Sequence, residues 1–159
     1  MAKAKEVKTN AMRILDKEKI PYLQHRYDSG GEAIDGVSVA NLIGIEPQYV
    51  FKTLVTVSPA KEYFVFVVPV EHELDLKKAA KAVGAKAVNM IHVKEINQVT
   101  GYIRGGTSPI GMKKKYPTYI DETCMLSERI AVSAGVRGAQ MIVPTESLIR
   151  YTDAVVCEA

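Results

Sequence analysis

Lys52 is an unexpected charge in an otherwise apolar, β-branched run, residues 50–55 (VFKTLV). Side chains alternate between the two faces of a strand, so Lys52 is expected to share its face with Val50 and Leu54. Such a lysine either extends its ammonium to a nearby surface or lines a cavity and binds an anion. The run by itself leaves both readings open.

Residues 101–111 (GYIRGGTSPIG) carry four glycines and a proline. Gly105 and Gly106 have no Cβ, so their backbone N–H groups can approach a ligand closely. Backbone donors in such a loop can hold an oxyanion or a carbonyl oxygen, with the Ser108 hydroxyl nearby. The alternative is that the glycines only allow a tight turn, and residue types alone do not decide between the two.

A third segment, residues 132–138 (VSAGVRG), ends a predicted strand with Ser133, two glycines that include Gly135, and Arg137. A rim of this composition suits an anion. The run from Lys113 to Lys115 could meet the backbone of an RNA, although a charge run is more often a solvated face.

The usual catalytic signatures are missing. His25, His72 and His92 lie in separate elements, without the spacing of a metal-binding helix, and there is no nucleophile elbow, phosphate loop or dinucleotide fingerprint. Cys124 and Cys157 have neither a disulfide pattern nor zinc-ligand spacing, and a buried structural thiol is the favoured reading of Cys124. We therefore expect no metal and no cofactor.

Length and composition favour one folded domain spanning residues 1–159. The chain is 47% hydrophobic and 25% charged, with a formal net charge of +3 that permits a polyanionic partner without requiring one. The longest apolar run, residues 63–70, has far fewer than the roughly 20 residues of a membrane span, and the charged N-terminus does not look like a signal peptide. A soluble, cytoplasmic protein is expected.

The elements that must position these residues mix helices and strands. Val7, Ala11, Ile14 and Leu15 predict a first helix, and residues 23–27 alternate as a strand. Residues 37–44 and 76–84 read as helices that end at a glycine, the second capped by Asp75, and Thr145 is predicted to cap the last helix.

Strands are predicted at residues 50–57 and 62–70, paired as a hairpin, with shorter ones near Ala87 and Val88 and at residues 117–121, 129–135 and 139–144. A weak helix is expected at residues 93–99. Because there is no repeating βαβ pattern, the class is α+β, a single domain built on a mixed sheet or barrel.

In their order and separation, FKTLV, TGYIRGGTSPIG followed by KKK, and VSAGVRG resemble the YbaK family of aminoacyl-tRNA deacylases, which are related to the editing domain of bacterial prolyl-tRNA synthetases. The likeness extends from His25 to the last helix. It implies a mixed, β-barrel-like sheet with peripheral helices and a pocket for the aminoacyl-adenosine end of a tRNA.

The resemblance also implies residue roles. The essential lysine of the family falls on Lys52, followed by Thr53, and the upstream aromatic on Tyr27. The family's serine falls on Ser133, and its glycine-rich wall on Gly101, Gly105, Gly106 and Ser108. Relatives often carry a lysine where this chain has Val136, and Gln140 occupies a position that is polar or acidic in the family.

The implied activity is trans-editing of mischarged tRNA, most of all Cys-tRNA(Pro), in which the substrate's own thiol attacks its carbonyl. The partners expected are the acceptor end of an aminoacyl-tRNA and prolyl-tRNA synthetase. Two alternatives stay open: a deacylase for another small aminoacyl group such as alanyl, and a non-catalytic module that binds a tRNA end or a synthetase.

Overall fold

Residues 8–159 are described by a computed structural model and contain five α-helices and eight strands. The helices are α1 Asn10–Lys17, α2 Gly36–Ile43, α3 Leu76–Val83, α4 Ile96–Thr100 and α5 Thr145–Thr152. The strands are β1 Leu23–Arg26, β2 Phe51–Val57, β3 Tyr63–Pro69, β4 Asn89–Met90, β5 Thr118–Asp121, β6 Arg129–Ser133, β7 Ala139–Pro144 and β8 Val155–Cys157.

The larger sheet has five strands in the order β4-β2-β3-β5-β8. β2 and β3 form the predicted antiparallel hairpin, with Lys52 opposite Val68 and Leu54 opposite Phe66. β5 runs parallel to β3, and β8 runs parallel to β5. The sheet is therefore mixed, as the sequence predicted.

The smaller sheet is antiparallel, in the order β1-β7-β6, and a bridge between Val50 and Ala131 connects it to the start of β2. The α+β class with helices around mixed sheets is confirmed. The barrel-like closure is corrected, because the strands form two sheets and no closed barrel.

Apolar side chains cover both faces of the β2–β3 hairpin. Phe51 and Val67 belong to one buried cluster together with Ile110, whereas Phe66 and Val68 belong to another. A strand buried on both sides needs apolar residues at nearly every position. This explains the continuous apolar composition of both strands and makes Lys52 stand out.

Three of the four predicted helix caps are correct in detail. Asp75 accepts hydrogen bonds from the first turn of α3, and α2 and α3 end at Gly44 and Gly84 in left-handed conformations. The cap at Thr145 is wrong: α5 already includes Thr145, whose hydroxyl donates to the Ser127 carbonyl oxygen at 2.8 Å. This side chain ties the helix to the chain before β6.

Other boundaries shift by a few residues. α1 begins at Asn10 and buries Ala11 and Leu15, while Val7, which contributed to its prediction, lies outside the described residues. β4 falls at Asn89–Met90, just after the predicted strand. β8 was not anticipated. No helix within residues 8–159 is long and apolar enough to cross a membrane.

Candidate active site

A cavity of about 410 Å³ lies beside β2, within the size range of small-molecule sites. Six consecutive residues, 50–55, line it, because residues from both faces border the edge of a strand. The Val50 carbonyl oxygen accepts the N–H of Val70, which directly follows β3, so the backbone groups of Phe51 and Thr53 point to the other edge of β2. Farther along that edge, Ile91 donates its N–H to the Val55 carbonyl oxygen at 3.2 Å.

Lys52 lies on the cavity wall and is partly buried. Burial lowers the pKa of its ammonium, and the negative charge of Glu73 acts in the opposite direction. The Lys52 ammonium is therefore a cation that has lost part of its hydration. Such a group gains most when an anion replaces the lost water.

Two polar atoms of the cavity wall have no partner. Thr53 Oγ1 and Gln140 Oε1 are buried and make no hydrogen bond within the described part of the chain. Ser133, opposite Gln140 in the β6–β7 pairing, lines the same cavity, and its hydroxyl oxygen accepts the Gly135 N–H at 3.1 Å. A buried polar atom without a partner costs free energy, so a ligand that pairs with it recovers that cost.

The glycine loop, residues 101–111, forms another part of the wall through Arg104, Gly105 and Thr107. Gly105 has φ +84°, and a Cβ added to it would lie 2.9 Å from both Cα and Cβ of Ala33. This position therefore needs glycine both for its backbone conformation and for the close approach of the two segments.

Three other residues of this loop were predicted to form the wall, and the structure places each of them elsewhere. Gly106 faces the backbone of Val136 and Arg137, and its added Cβ would come within 2.8 Å of the Val136 carbonyl carbon. Gly101 ends α4 with φ +85°, next to Lys113. Ser108 is fully buried and accepts the Ile110 N–H. None of the three is among the residues that line the cavity.

Three more predicted binding residues also lie outside the cavity lining. Tyr27 donates its backbone N–H to the Gly138 carbonyl oxygen, and an added Cβ on Gly135 would collide with the ring of Tyr102. Arg137 donates to two backbone carbonyl groups. Tyr27, Gly135 and Arg137 therefore contact neighbouring segments of the chain and do not border the cavity.

The predicted RNA-binding lysines, Lys113 to Lys115, are exposed on the far side of the glycine loop. Lys114 and Lys115 line a second cavity of about 210 Å³. Lys115 pairs with Asp153, and Lys113 donates to the Gln98 carbonyl oxygen at 3.4 Å. The hydroxyl groups of Thr118 and Thr152, which line this second cavity, donate to backbone carbonyl oxygens.

Comparison with known families decides what kind of cavity this is. The model of the aminoacyl-tRNA editing domain matches residues 33–151, which include every side chain from Ile34 to Gln140 that lines the cavity. The chain belongs to this family. The resemblance read from FKTLV, the glycine loop and VSAGVRG is thereby confirmed.

A protein of Enterococcus faecalis named as the Cys-tRNA(Pro)/Cys-tRNA(Cys) deacylase EbsC is 46% identical over 159 residues, covering 99% of this chain and 97% of the relative. A solved structure described as a trans-editing enzyme for prolyl-tRNA synthetase superposes with a TM-score of 0.81 at 23% identity, covering 96% of this chain and 98% of the other. The hypothetical protein APE2540 gives 0.82 at 19% identity, covering 92% and 95%. These two structures share the fold.

Several residues of this editing domain were missed from sequence. Arg104 and Thr107 stand in the glycine loop without a distinguishing pattern. Gln140 was noted only as a departure from the family, although a polar residue in the apolar strand AQMIVP was itself a signal. Much of the apolar wall comes from residues dispersed along the chain, namely Ile34, Val39, Met90, Ile91, Val93 and Ile96.

Among the described residues that line the cavity, no hydroxyl group is hydrogen-bonded to a basic side chain. His25, His72 and His92 do not line it, and neither does Cys124, which is fully buried as expected. Burial raises the pKa of the Cys124 thiol to about 11, so this sulfur stays protonated. Within residues 8–159, no group of three or more His, Cys, Asp or Glu side chains could hold a metal ion.

Proposed function

We propose that residues 1–159 form one editing domain that hydrolyses mischarged aminoacyl-tRNA in trans, with Cys-tRNA(Pro) as the principal substrate. One observation carries the proposal: Lys52, Thr53, Gly105 and Ser133 border one cavity in a chain that is 46% identical to a protein named as a Cys-tRNA deacylase. The cavity size and its mixed polar and apolar walls suit a small aminoacyl group attached to a ribose.

Lys52 is proposed to anchor the terminal phosphate or ribose of the tRNA. Its ammonium presents a point charge with up to three donors, and partial burial strengthens its interaction with an anion. The negative charge of Glu73 favours the ammonium form and partly offsets the effect of burial on the Lys52 pKa. A Schiff-base role is not required, because the substrate ester is already an activated acyl group.

The ester carbonyl is proposed to lie between β2 and the glycine loop. Gly105 allows its backbone to approach there, and the unpaired Thr53 hydroxyl can donate a hydrogen bond to the carbonyl oxygen. The unpaired Gln140 Oε1 can only accept, so it suits the amino group of the aminoacyl moiety. Holding the substrate in one conformer supplies much of the rate acceleration when the nucleophile is part of the same molecule.

For a cysteinyl substrate that nucleophile is the substrate thiol. Its sulfur adds to the ester carbonyl carbon, the bond from this carbon to the ribose oxygen breaks, and the ribose oxygen takes the proton released by the thiol. The products are free tRNA and a thiolactone, which water opens to cysteine. This route explains how a cavity lined by neither histidine nor cysteine could still promote cleavage.

The test is a deacylation assay with Cys-, Ser-, Ala- and Pro-tRNA(Pro), and with Cys-tRNA(Cys). Faster release from cysteinyl than from the nearly isosteric seryl substrate supports thiol assistance. Equal rates on cysteinyl and alanyl substrates would replace it with general positioning of small aminoacyl groups. No release from any of them, with tRNA still bound, would make the chain a non-catalytic tRNA-binding module.

The proposed setting is the cytoplasm, where charged tRNA is present. The few cations around the cavity favour modest tRNA affinity, so we propose that prolyl-tRNA synthetase helps to select the tRNA. Adding this synthetase to the assay should raise activity on Cys-tRNA(Pro) and leave activity on Cys-tRNA(Cys) unchanged.

A further inference from the structure

Arg137 joins three separate segments behind the cavity. It lies in the β6–β7 turn, residues 134–138, and donates from Nε to the Arg104 carbonyl oxygen of the glycine loop at 2.7 Å. Its Nη1 donates to the Gly31 carbonyl oxygen of the 27–35 loop, which connects β1 to α2, at 2.9 Å. One guanidinium group thus holds two loops that come from distant parts of the chain.

Both of these loops form walls of the cavity. The 27–35 loop contributes Ile34, and the glycine loop contributes Arg104, Gly105 and Thr107. Arg137 itself does not line the cavity. It contacts the backbone of both loops outside the cavity lining, near the place where the two loops approach each other.

The two loops touch where Arg137 holds them. A Cβ on Gly105 would lie 2.9 Å from Ala33 and 3.4 Å from Arg137 Nε, so neither wall can move toward the other. Gly106 packs equally closely on the backbone of Val136 and Arg137. Small residues keep the walls from overlapping, and the hydrogen bonds of Arg137 keep them from separating.

The 27–35 loop has its other anchors at its two ends. Tyr27 bonds to Gly138 by its backbone, and Asp35 caps α2. The hydrogen bonds donated by Gly30 and Gly31 stay inside the loop, with Asp28 and Ser29 as acceptors. The middle of the loop is therefore sensitive to the bond from Arg137.

Only arginine supplies this arrangement. Its planar fork directs Nε–H and Nη1–H to two acceptors in fixed directions, whereas lysine has one ammonium at the end of a flexible stem. Both acceptors are neutral carbonyl groups, and no ion pair found among residues 8–159 involves Arg137. The side chain therefore acts here through directed hydrogen bonds.

We propose that Arg137 is a positioning residue that fixes the distance between the 27–35 loop and the glycine loop, and thereby sets the largest aminoacyl group that the cavity accepts. The inference about aminoacyl size rests on the proposed function. The inference about the loops rests on the geometry alone. It replaces direct anion binding as the role of Arg137.

The experiment compares Arg137→Lys and Arg137→Gln with the matched controls Arg129→Lys and Arg129→Gln, since Arg129 is exposed at the start of β6 and does not line the cavity. The first measurement is hydrogen exchange of the backbone amides of residues 31–33. Loss of a charge-assisted hydrogen bond should speed exchange about tenfold in both Arg137 variants and in neither control. Unchanged exchange in the Arg137 variants would overturn the proposal.

The second measurement is the ratio of kcat/KM for cysteinyl- and leucyl-tRNA(Pro). We expect both Arg137 variants to lose about tenfold or more of this selectivity, mainly by gaining activity on the leucyl substrate. Wild-type selectivity in Arg137→Lys together with its loss in Arg137→Gln would contradict the proposal. It would mean that selectivity depends on the positive charge of the side chain and not on the two directed hydrogen bonds of the guanidinium group.

Two precautions keep the outcome decisive. If Arg137→Gln does not fold, Arg137→Lys, which retains the charge and most of the stem, carries both measurements. If the wild-type protein deacylates no tRNA, the proposed function fails, and hydrogen exchange still decides whether Arg137 holds the loops together.

Discussion

Thr53 Oγ1 and Gln140 Oε1 are buried oxygens from two different sheets, both border the same cavity, and neither has a hydrogen-bond partner in the described part of the chain. Protein interiors rarely leave two such atoms unpaired, because each unpaired group lowers stability. A ligand that forms hydrogen bonds with both oxygens would remove this cost, so both atoms are candidates for substrate binding.

We expect Thr53→Val and Gln140→Met to leave stability unchanged or raise it by about 1 kcal/mol, because each removes an unpaired polar group at nearly constant shape. Both should lower kcat/KM on the cysteinyl substrate about tenfold. Urea unfolding and deacylation kinetics measure the two effects. Thr152→Val is the control, since that hydroxyl donates to the Leu148 carbonyl oxygen and its loss should destabilise. Destabilisation by Thr53→Val as large as that of the control would contradict the prediction.

Replacing Lys52 with alanine should reduce deacylation on the order of a hundredfold or more, because a fixed charge near the transferred group is lost. The fold should remain, with a melting temperature within about 3 °C of wild type. Lys86→Ala, at an exposed site away from the cavity, is the matched control. Full activity of Lys52→Ala on Cys-tRNA(Pro) would remove Lys52 from the site.

The pH dependence of activity should show the lowered pKa of Lys52. If the ammonium is the active form, kcat/KM falls as pH rises through a pKa below that of an exposed lysine. Glu73→Gln removes the charge that supports the ammonium, so the fall should begin at a lower pH, whereas Glu71→Gln should not change it. Rates must be corrected for spontaneous ester hydrolysis. If kcat/KM of Lys52→Ala still falls at alkaline pH, the titrating group is not Lys52.

The same shift has a consequence for stability. Because the folded-state pKa of Lys52 is below the unfolded value, the unfolded chain holds more protons between these two pKa values. The contribution of Lys52 to the free energy of unfolding therefore increases with pH across that window. Denaturant unfolding of wild type and Lys52→Met at several alkaline pH values measures it, and parallel curves would show that the two pKa values are equal.

Gly105→Ala should destabilise more than Gly84→Ala. Both glycines have left-handed backbone conformations, with φ +84° and +74°, so both substitutions carry a strain of about 1–2 kcal/mol. A Cβ at Gly84 meets nothing within 4 Å, whereas one at Gly105 meets Ala33 at 2.9 Å and adds roughly 1–3 kcal/mol. Urea unfolding compares the two, and equal losses would mean that the loop contact is soft. Activity should fall in Gly105→Ala alone.

The three lysines after the glycine loop give a prediction about tRNA binding. Replacing Lys113, Lys114 and Lys115 with alanine should weaken binding and reduce the slope of log K against log salt by about two, since each phosphate contact contributes roughly 0.7–0.9. A triple replacement of Lys77, Lys81 and Lys86 on and after α3 removes the same charge and should not change the slope. Equal effects of the two triples would indicate a general charge effect.

The sequence by itself determined the family, the mixed α+β class, the β2–β3 hairpin and the helix ends at Gly44 and Gly84. These features depend on local patterns: alternation, capping residues and the left-handed conformation that glycine adopts easily. Lys52, Thr53, Gly105 and Ser133, which the ordered motifs singled out, line one cavity in the structure, and their roles in the site remain predictions.

Only the tertiary structure decided which residues of each motif border the cavity and which support it. Gly105 and Gly106 are neighbours of the same type, yet the first lines the cavity and the second packs on the β6–β7 turn. The composition of the third segment suggests anion binding by Arg137, whereas only the structure shows that its guanidinium group donates to the carbonyl oxygens of Arg104 and Gly31. The direction of a side chain in a loop depends on contacts with segments about 30 and 100 residues away, and no local pattern encodes them.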